Sequence, residues 1–143
     1  MSTEDNKAIV RRYREIHNKG TLDKLGEVVA KDLIQHSGLP GMPPGIEGGK
    51  AAHSFFISAF PDTQVTTEDL IADGDKVVER YTARGTHKGE FMGAPATGKK
   101  YEIGGYAMYR IANGKIVEHW GLDDGTGLFT QLGLMAAPGQ PAK

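Results

Sequence analysis

The spacing of hydrophobic residues changes period near the middle of the chain. Over residues 3–18, Ile9, Tyr13 and Ile16 recur at helical spacing. Ser2 or Thr3 can cap that helix, Glu4 and Asp5 suit its positive end, and Gly20 ends it. A second, short helix is expected over 22–30, with Thr21 as cap and Leu22, Leu25 and Val29 on one face. Residues 32–37 (DLIQHS) read as a short strand entering a Pro/Gly loop. A third helix over 46–59 carries Ala52, Phe55, Phe56 and Ala59, and Pro61 stops it.

Beyond that proline the alternation is two-residue. Strands are expected over 63–74 and 76–87, separated by Asp73-Gly74-Asp75, and over 99–111 and 115–123, separated by Asn113-Gly114, a strong hairpin signal. Helices followed by an antiparallel meander give the α+β class. A curved antiparallel sheet wrapping the N-terminal helices forms a cone around an apolar pocket. The 20 glycines fall between patterned segments rather than in one tract, as a curled sheet needs. One domain over residues 1–135 is expected, with 136–143 as a loose tail.

Strand parity assigns faces. Val77, Glu79, Tyr81, Ala83 and His87 share the apolar parity of the second strand. The buried side of Glu79 is explained by an ion pair with an arginine such as Arg110, or by a second acid/base role. In the last strand, Ile116, Trp120, Leu122 and Asp124 share the expected inward parity, which turns Asp123 and His119 outward. A bulge at Gly121 would invert that assignment. His17 and His53 read as helix surface. Apolar residues on the other sheet face, Val78 and Val117 with Ala107 or Met108, imply a homodimer or homotetramer through that face.

Composition narrows the chemistry. A net charge of −1 gives no footprint for nucleic acid or an anionic membrane. Cysteine is absent, which removes disulfides, thiol nucleophiles and thiolate metal sites. The five histidines lack metal-ligand spacing, no G-x-S-x-G elbow occurs, and no metal is expected. No apolar run reaches membrane-span length and the N-terminus is no signal peptide, so the expectation is a cytoplasmic protein.

Several stretches together resemble the SnoaL-like polyketide cyclase family, within the larger NTF2-like group. They are GTHKGEF with the following G-P-TGK, GKIVEHW, and an Asp followed by QLG, in order from residue 85 to 133. The resemblance implies an α+β cone and a cofactor-free enzyme acting on a small hydrophobic carbonyl compound. In the characterised cyclases one Asp near the end of the last strand removes a proton beside a carbonyl, and the enolate closes a ring by aldol attack. Counting back from Gln131-Leu132-Gly133, that Asp corresponds to Asp124. The chain departs from the anthracycline-type cyclases at Gly105 and Ala107, where those carry Gln and His. This implies an enlarged or drier pocket and a different substrate.

Each candidate has a second reading. Asp124 is either the general acid/base or the cap of the short helix after it. His87 either donates to the substrate oxygen where enolate charge develops or makes a structural hydrogen bond. His36 is placed at the pocket mouth as a further catalytic candidate. Trp120, Tyr81, Phe56, Phe91, Met92 and Tyr106 are the expected substrate-contacting side chains, drawn from a larger apolar core. Alternative functions are an epoxide hydrolase, a ketosteroid-isomerase-like activity in the same pocket, or a non-catalytic small-molecule binding protein. An epoxide hydrolase would need an inward Arg between two carboxylates, and the sequence identifies none.

Overall fold

The computed structural model describes residues 2–136 and 139, so most of the expected tail lies outside the described residues. Helix α1 spans Thr3–Lys19. Ser2 Oγ accepts from the Asp5 amide and the Asp5 carboxylate accepts from the Ser2 amide, a capping box that satisfies both ends of the first turn. The expected second helix is only a 3₁₀ turn over Leu22–Glu27. Thr21 makes no side-chain cap there, and Val29 leaves the turn to start strand β1 (Val29–Gln35). Strand pairing outweighs local helix preference in so short a segment. Helix α2 spans Gly45–Ala59.

Four strands follow: β2 (Gln64–Asp73), β3 (Lys76–Thr86), β4 (Lys100–Ala112) and β5 (Lys115–Asp123). They pair antiparallel, and β1 adds in parallel to β5, giving the order β1-β5-β4-β3-β2. Asn113 and Gly114 both take left-handed backbone angles, φ +53° and +75°, the geometry of the tight turn their pairing implies. A last short helix, α3, covers Gly125–Gln131.

Both helices α1 and α2 pack on one face of the curved five-stranded sheet. Two apolar clusters occupy that concave side. One joins Val10 and Ile16 of α1 to Val77, Tyr109 and Ile116 of the sheet. The other joins Phe60, Phe91, Tyr101 and Leu132 at the end nearest α3. The concave face between them, bordered by α1, α2 and the ends of β3–β5, carries the polar residues described next.

Candidate functional site

The register of β5 decides which carboxylate faces inward. Ile111 pairs with Ile116, but Arg110 pairs with Glu118, so Val117 is an extra residue on β5. This bulge reverses the parity beyond it. From there His119, Gly121 and Asp123 lie opposite the inward residues Tyr109, Ala107 and Gly105. Glu118, Trp120 and Leu122 turn to the outer face. The sequence-based assignment is thereby inverted: Asp123 points inward and Asp124 does not. Asp124 is exposed and caps α3, its Oδ1 accepting the Gly127 amide at 2.8 Å. Trp120 stacks on the outer face against His36, with ring centroids 4.6 Å apart and planes within 5°.

Asp123 sits at the solvent-reachable rim of the concave face and accepts a hydrogen bond from the Tyr81 hydroxyl. Tyr81 is 8% exposed. Burial, and then the charge and hydrogen bond of Asp123, push its phenol well above the usual value, so it stays a protonated donor. Gly105 makes room for this ring. A Cβ there would lie 2.5 Å from the Tyr81 ring and hydroxyl. The missing bulk at Gly105 is therefore filled by Tyr81, not left as enlarged pocket. Gly121 does the same for His119, whose Cε1 lies 3.2 Å from where a Cβ would stand.

Below Tyr81 lies a buried ionic network. Glu79 is fully buried and pairs with Arg14 of α1, not with Arg110: Arg14 Nη2 donates to Oε1 at 2.7 Å and Nε to Oε2 at 3.1 Å. The Tyr109 and Thr67 hydroxyls complete it, donating to Glu79 at 2.8 and 2.7 Å. Burial raises the Glu79 carboxyl, but these four bonds outweigh burial and hold it below its ordinary range. The Arg14 guanidinium also lies 5.1 Å from the Tyr81 ring centroid. Arg14 is thus the inward arginine that strand parity could not reveal. It is committed to Glu79, and Glu118 takes Arg110 on the outer face at 2.8 Å. A groove of about 400 Å³ between α1 and β2, lined by Arg14, Asn18, Gln64 and Thr67 among others, leads toward this network.

Three imidazoles share the concave side, where two were expected on helix surfaces and one on the outer sheet face. His17 and His53 meet edge to face with centroids 5.0 Å apart, and His119 packs 5.1 Å from Tyr109. Tyr13 links them, 4.2 Å from His17 and 6.4 Å from His119. Burial, reinforced by the Arg14 charge, lowers His17 to about 3 and His119 to about 4. His53 is lowered too, by burial and then by Arg14. All three are neutral at physiological pH.

The remaining expected site residues divide. His87 is fully buried; its Nδ1 is 3.0 Å from Thr97 Oγ1 and its ring packs 5.5 Å from Phe60. It fastens the 88–98 segment to β3, and its Nε2 is buried without a partner among the described residues. His36 binds Glu118 at 2.6 Å on the outer face, not at the pocket mouth, because Glu118 and Trp120 turned outward with the bulge. Tyr106 lies on that outer face at 58% exposure, opposite Leu122, since β4 alternates without a break. Met92 is 66% exposed in a loop turn with φ +49°. Phe56 and Phe91 stand 5.8 Å apart in the aromatic cluster near α3. Of the expected contacts, Tyr81, Phe56 and Phe91 lie on the concave side.

Among the described residues no group of three or more His, Cys, Asp or Glu is arranged to hold a metal ion, and no helix is long and apolar enough to cross a membrane. The concave side presents a reachable carboxylate held by a tyrosine, over neutral imidazoles and a neutralised ion pair.

Comparison with known proteins places this geometry. A family model for SnoaL-like polyketide cyclase matches residues 7–132. The aklanonic acid methyl ester cyclase DnrD of Streptomyces peucetius is 30% identical over 136 residues, covering 93% of this chain and 92% of that protein. Among solved structures, TsrD of Streptomyces laurentii superposes with a TM-score of 0.86 at 28% identity, covering 94% of this chain and 99% of the other. IdmH of Streptomyces antibioticus gives 0.80 at 37% identity, covering 90% and 98%. With the curved sheet, its enclosed helices and a match over most of its length, the chain belongs to the SnoaL-like polyketide cyclase family.

Proposed function

We propose that the protein is a cofactor-free cyclase or isomerase of small carbonyl-bearing polyketide-type molecules, with Asp123 as its general acid/base. The observation that carries this reading is the inward Asp123 carboxylate, held by the Tyr81 hydroxyl at the rim of the concave face. One carboxylate oxygen is occupied by Tyr81, and the other is free to take a proton. Asp123 removes a proton from the carbon beside a substrate carbonyl. The enolate carbon attacks a second carbonyl in the same molecule, a C–C bond forms, and the proton returns to the new alkoxide. Tyr81 is a positioning residue: it fixes the carboxylate, and Arg14 with Glu79 supports its ring from below. Asp124 is left with its capping role.

Support for a second copy comes from the outer face. Ile71, Val78, Met108 and Trp120 form a cross-strand row, with Tyr106 and Leu122 beside it, and Leu122 is 77% exposed. A homo-oligomer joined through this face covers the row.

The acid/base reading is tested by proton exchange in D2O. Aklanonic acid methyl ester, which the relatives' names supply as a first substrate, and simple 1,3-dicarbonyl polyketide mimics are incubated with the protein. Protein-dependent deuterium incorporation at the α-carbon that disappears in Asp123→Asn is expected. Exchange unchanged by that substitution sinks the assignment.

A further inference from the structure

Helix α1 turns a polar stripe toward the edge strand. Arg11, Arg14 and Asn18 recur at helical spacing and face β2 across the groove of about 400 Å³. Its walls are held from both sides. The Asn18 side chain pairs with both backbone groups of Val65, donating to the carbonyl at 2.8 Å and accepting from the amide at 2.9 Å. The Gln64 amide donates to the carbonyls of Asn18 and Thr63 at 3.1 and 3.0 Å. These bonds fix the last turn of α1 against β2, so the groove is preformed.

One charged donor in the groove is left over. Arg14 commits Nε to Glu79 and Nη2 to Glu79 and Tyr109, whereas Nη1 has no partner among the described residues. The side chain keeps 15% of its surface open and lines the groove. Arg11 lines it too and makes no ion pair among the described residues. Lys19 reaches Glu15 at 3.6 Å, but Arg12 already holds that carboxylate. Arg11, Arg14 and Lys19 against Glu15 and the buried Glu79 leave positive charge in excess.

The chemistry of the occupant follows. A guanidinium NH2 and a modest positive excess complement a monoanion with oxygen acceptors, which is a carboxylate. A phosphate dianion would bring its second charge beside Glu15 and Glu79. An ammonium is repelled, and a neutral carbonyl compound leaves Arg11 without a counter-charge. We propose that the groove between α1 and β2 is a binding site for a small carboxylate, held by Arg14 Nη1 and by the exposed Arg11. Strands β4 and β3 separate β2 from the strand that carries Asp123, so this is a second site. It does not rest on Asp123 as the base.

Protein labelled with ¹⁵N is titrated with sodium acetate at low ionic strength, beside acetamide, sodium chloride and inorganic phosphate. For so small a ligand a Kd on the order of 1–10 mM is expected. Saturating shifts of the Asn18 and Gln64 side-chain amides and of the Arg14 guanidinium should accompany binding. Acetamide and chloride should bind at least ~10-fold more weakly. Arg11→Gln should weaken acetate about 3-fold, as befits an exposed charge, and Arg84→Gln on β3 should not. Arg14→Met with Glu79→Leu removes the buried pair as a unit and should abolish the shifts. If that double variant does not fold, Arg11→Gln and the wild-type titrations decide. No saturable shift, an equal response to acetamide or chloride, tighter binding of phosphate than of acetate, or shifts centred on Arg84 and Lys100 overturn the proposal.

Discussion

Lowering the pH from 7.5 to 5.0 perturbs the interior imidazoles before it reaches the carboxylates. His17 and His119 have folded values of about 3 and about 4, against 6.5 for an exposed imidazole. Their folded values are depressed, so between those values and 6.5 the unfolded chain binds more protons than the folded one. Stability therefore rises with pH through this window and falls on acidification. At pH 5.0 the unfolded state gains roughly 2 kcal/mol per imidazole from protonation that the folded state cannot match. Two such groups give a loss of about 4 kcal/mol, a large share of the roughly 5–15 kcal/mol typical of a domain. His53 adds in the same direction. Glu79 is held below 4.5, so its loss begins only as the pH falls below that value. Urea unfolding at pH 7.5, 6.0 and 5.0, with a constant slope, measures the difference. His17→Phe and His119→Phe should each remove roughly 2 kcal/mol of the pH dependence. An unfolding free energy flat to within ~0.5 kcal/mol across that range would refute the neutral imidazole cluster.

Further expectations concern the supports of the site. Replacing Glu79 by Leu leaves Arg14 buried without its counter-charge and should cost about 3–5 kcal/mol in urea unfolding, while adding Arg14→Met should recover much of the loss. Asp124→Ala removes the α3 cap and should cost roughly 1 kcal/mol without changing substrate turnover. Gly105→Ala pushes a methyl against Tyr81, 2.5 Å away, and should destabilise by about 1–3 kcal/mol by thermal unfolding. The parent should be a homo-oligomer by light scattering at micromolar concentration and Leu122→Lys with Tyr106→Lys a monomer; a monomeric parent removes that interface.

The first and third helices, the hairpins and the α+β cone are readable because their signals are local. The Ser2 cap, the Asn113-Gly114 turn and the unbroken alternation of β3 each lie within a few residues of what they determine. The last strand was misread because Val117 and Glu118 carry no glycine or proline to mark a bulge, and a bulge depends on the partner strand. Trp120 strengthened the error. A large apolar residue ordinarily marks the inner face, but here the outer face is apolar as well. His17 was assigned to the surface although it follows Tyr13 by four residues, on the flank of the helix that carries Tyr13 and Ile16. That spacing was the available signal. Arg14 offered none, since its partner Glu79 lies 65 residues away. Gly105 reads in the sequence as missing bulk, but the ring that fills it comes from Tyr81 on another strand; Gly121, filled by His119 two residues back, carries no such signal.

The account turns on which of two adjacent carboxylates faces the substrate. The most direct measurement is the rate of cyclisation or α-proton exchange by Asp123→Asn beside Asp124→Asn, under conditions where both are folded. The structure leads to a loss of roughly 10²–10⁴-fold for Asp123→Asn and less than ~10-fold for Asp124→Asn. The opposite order, with Asp124→Asn inactive and Asp123→Asn active, would contradict it.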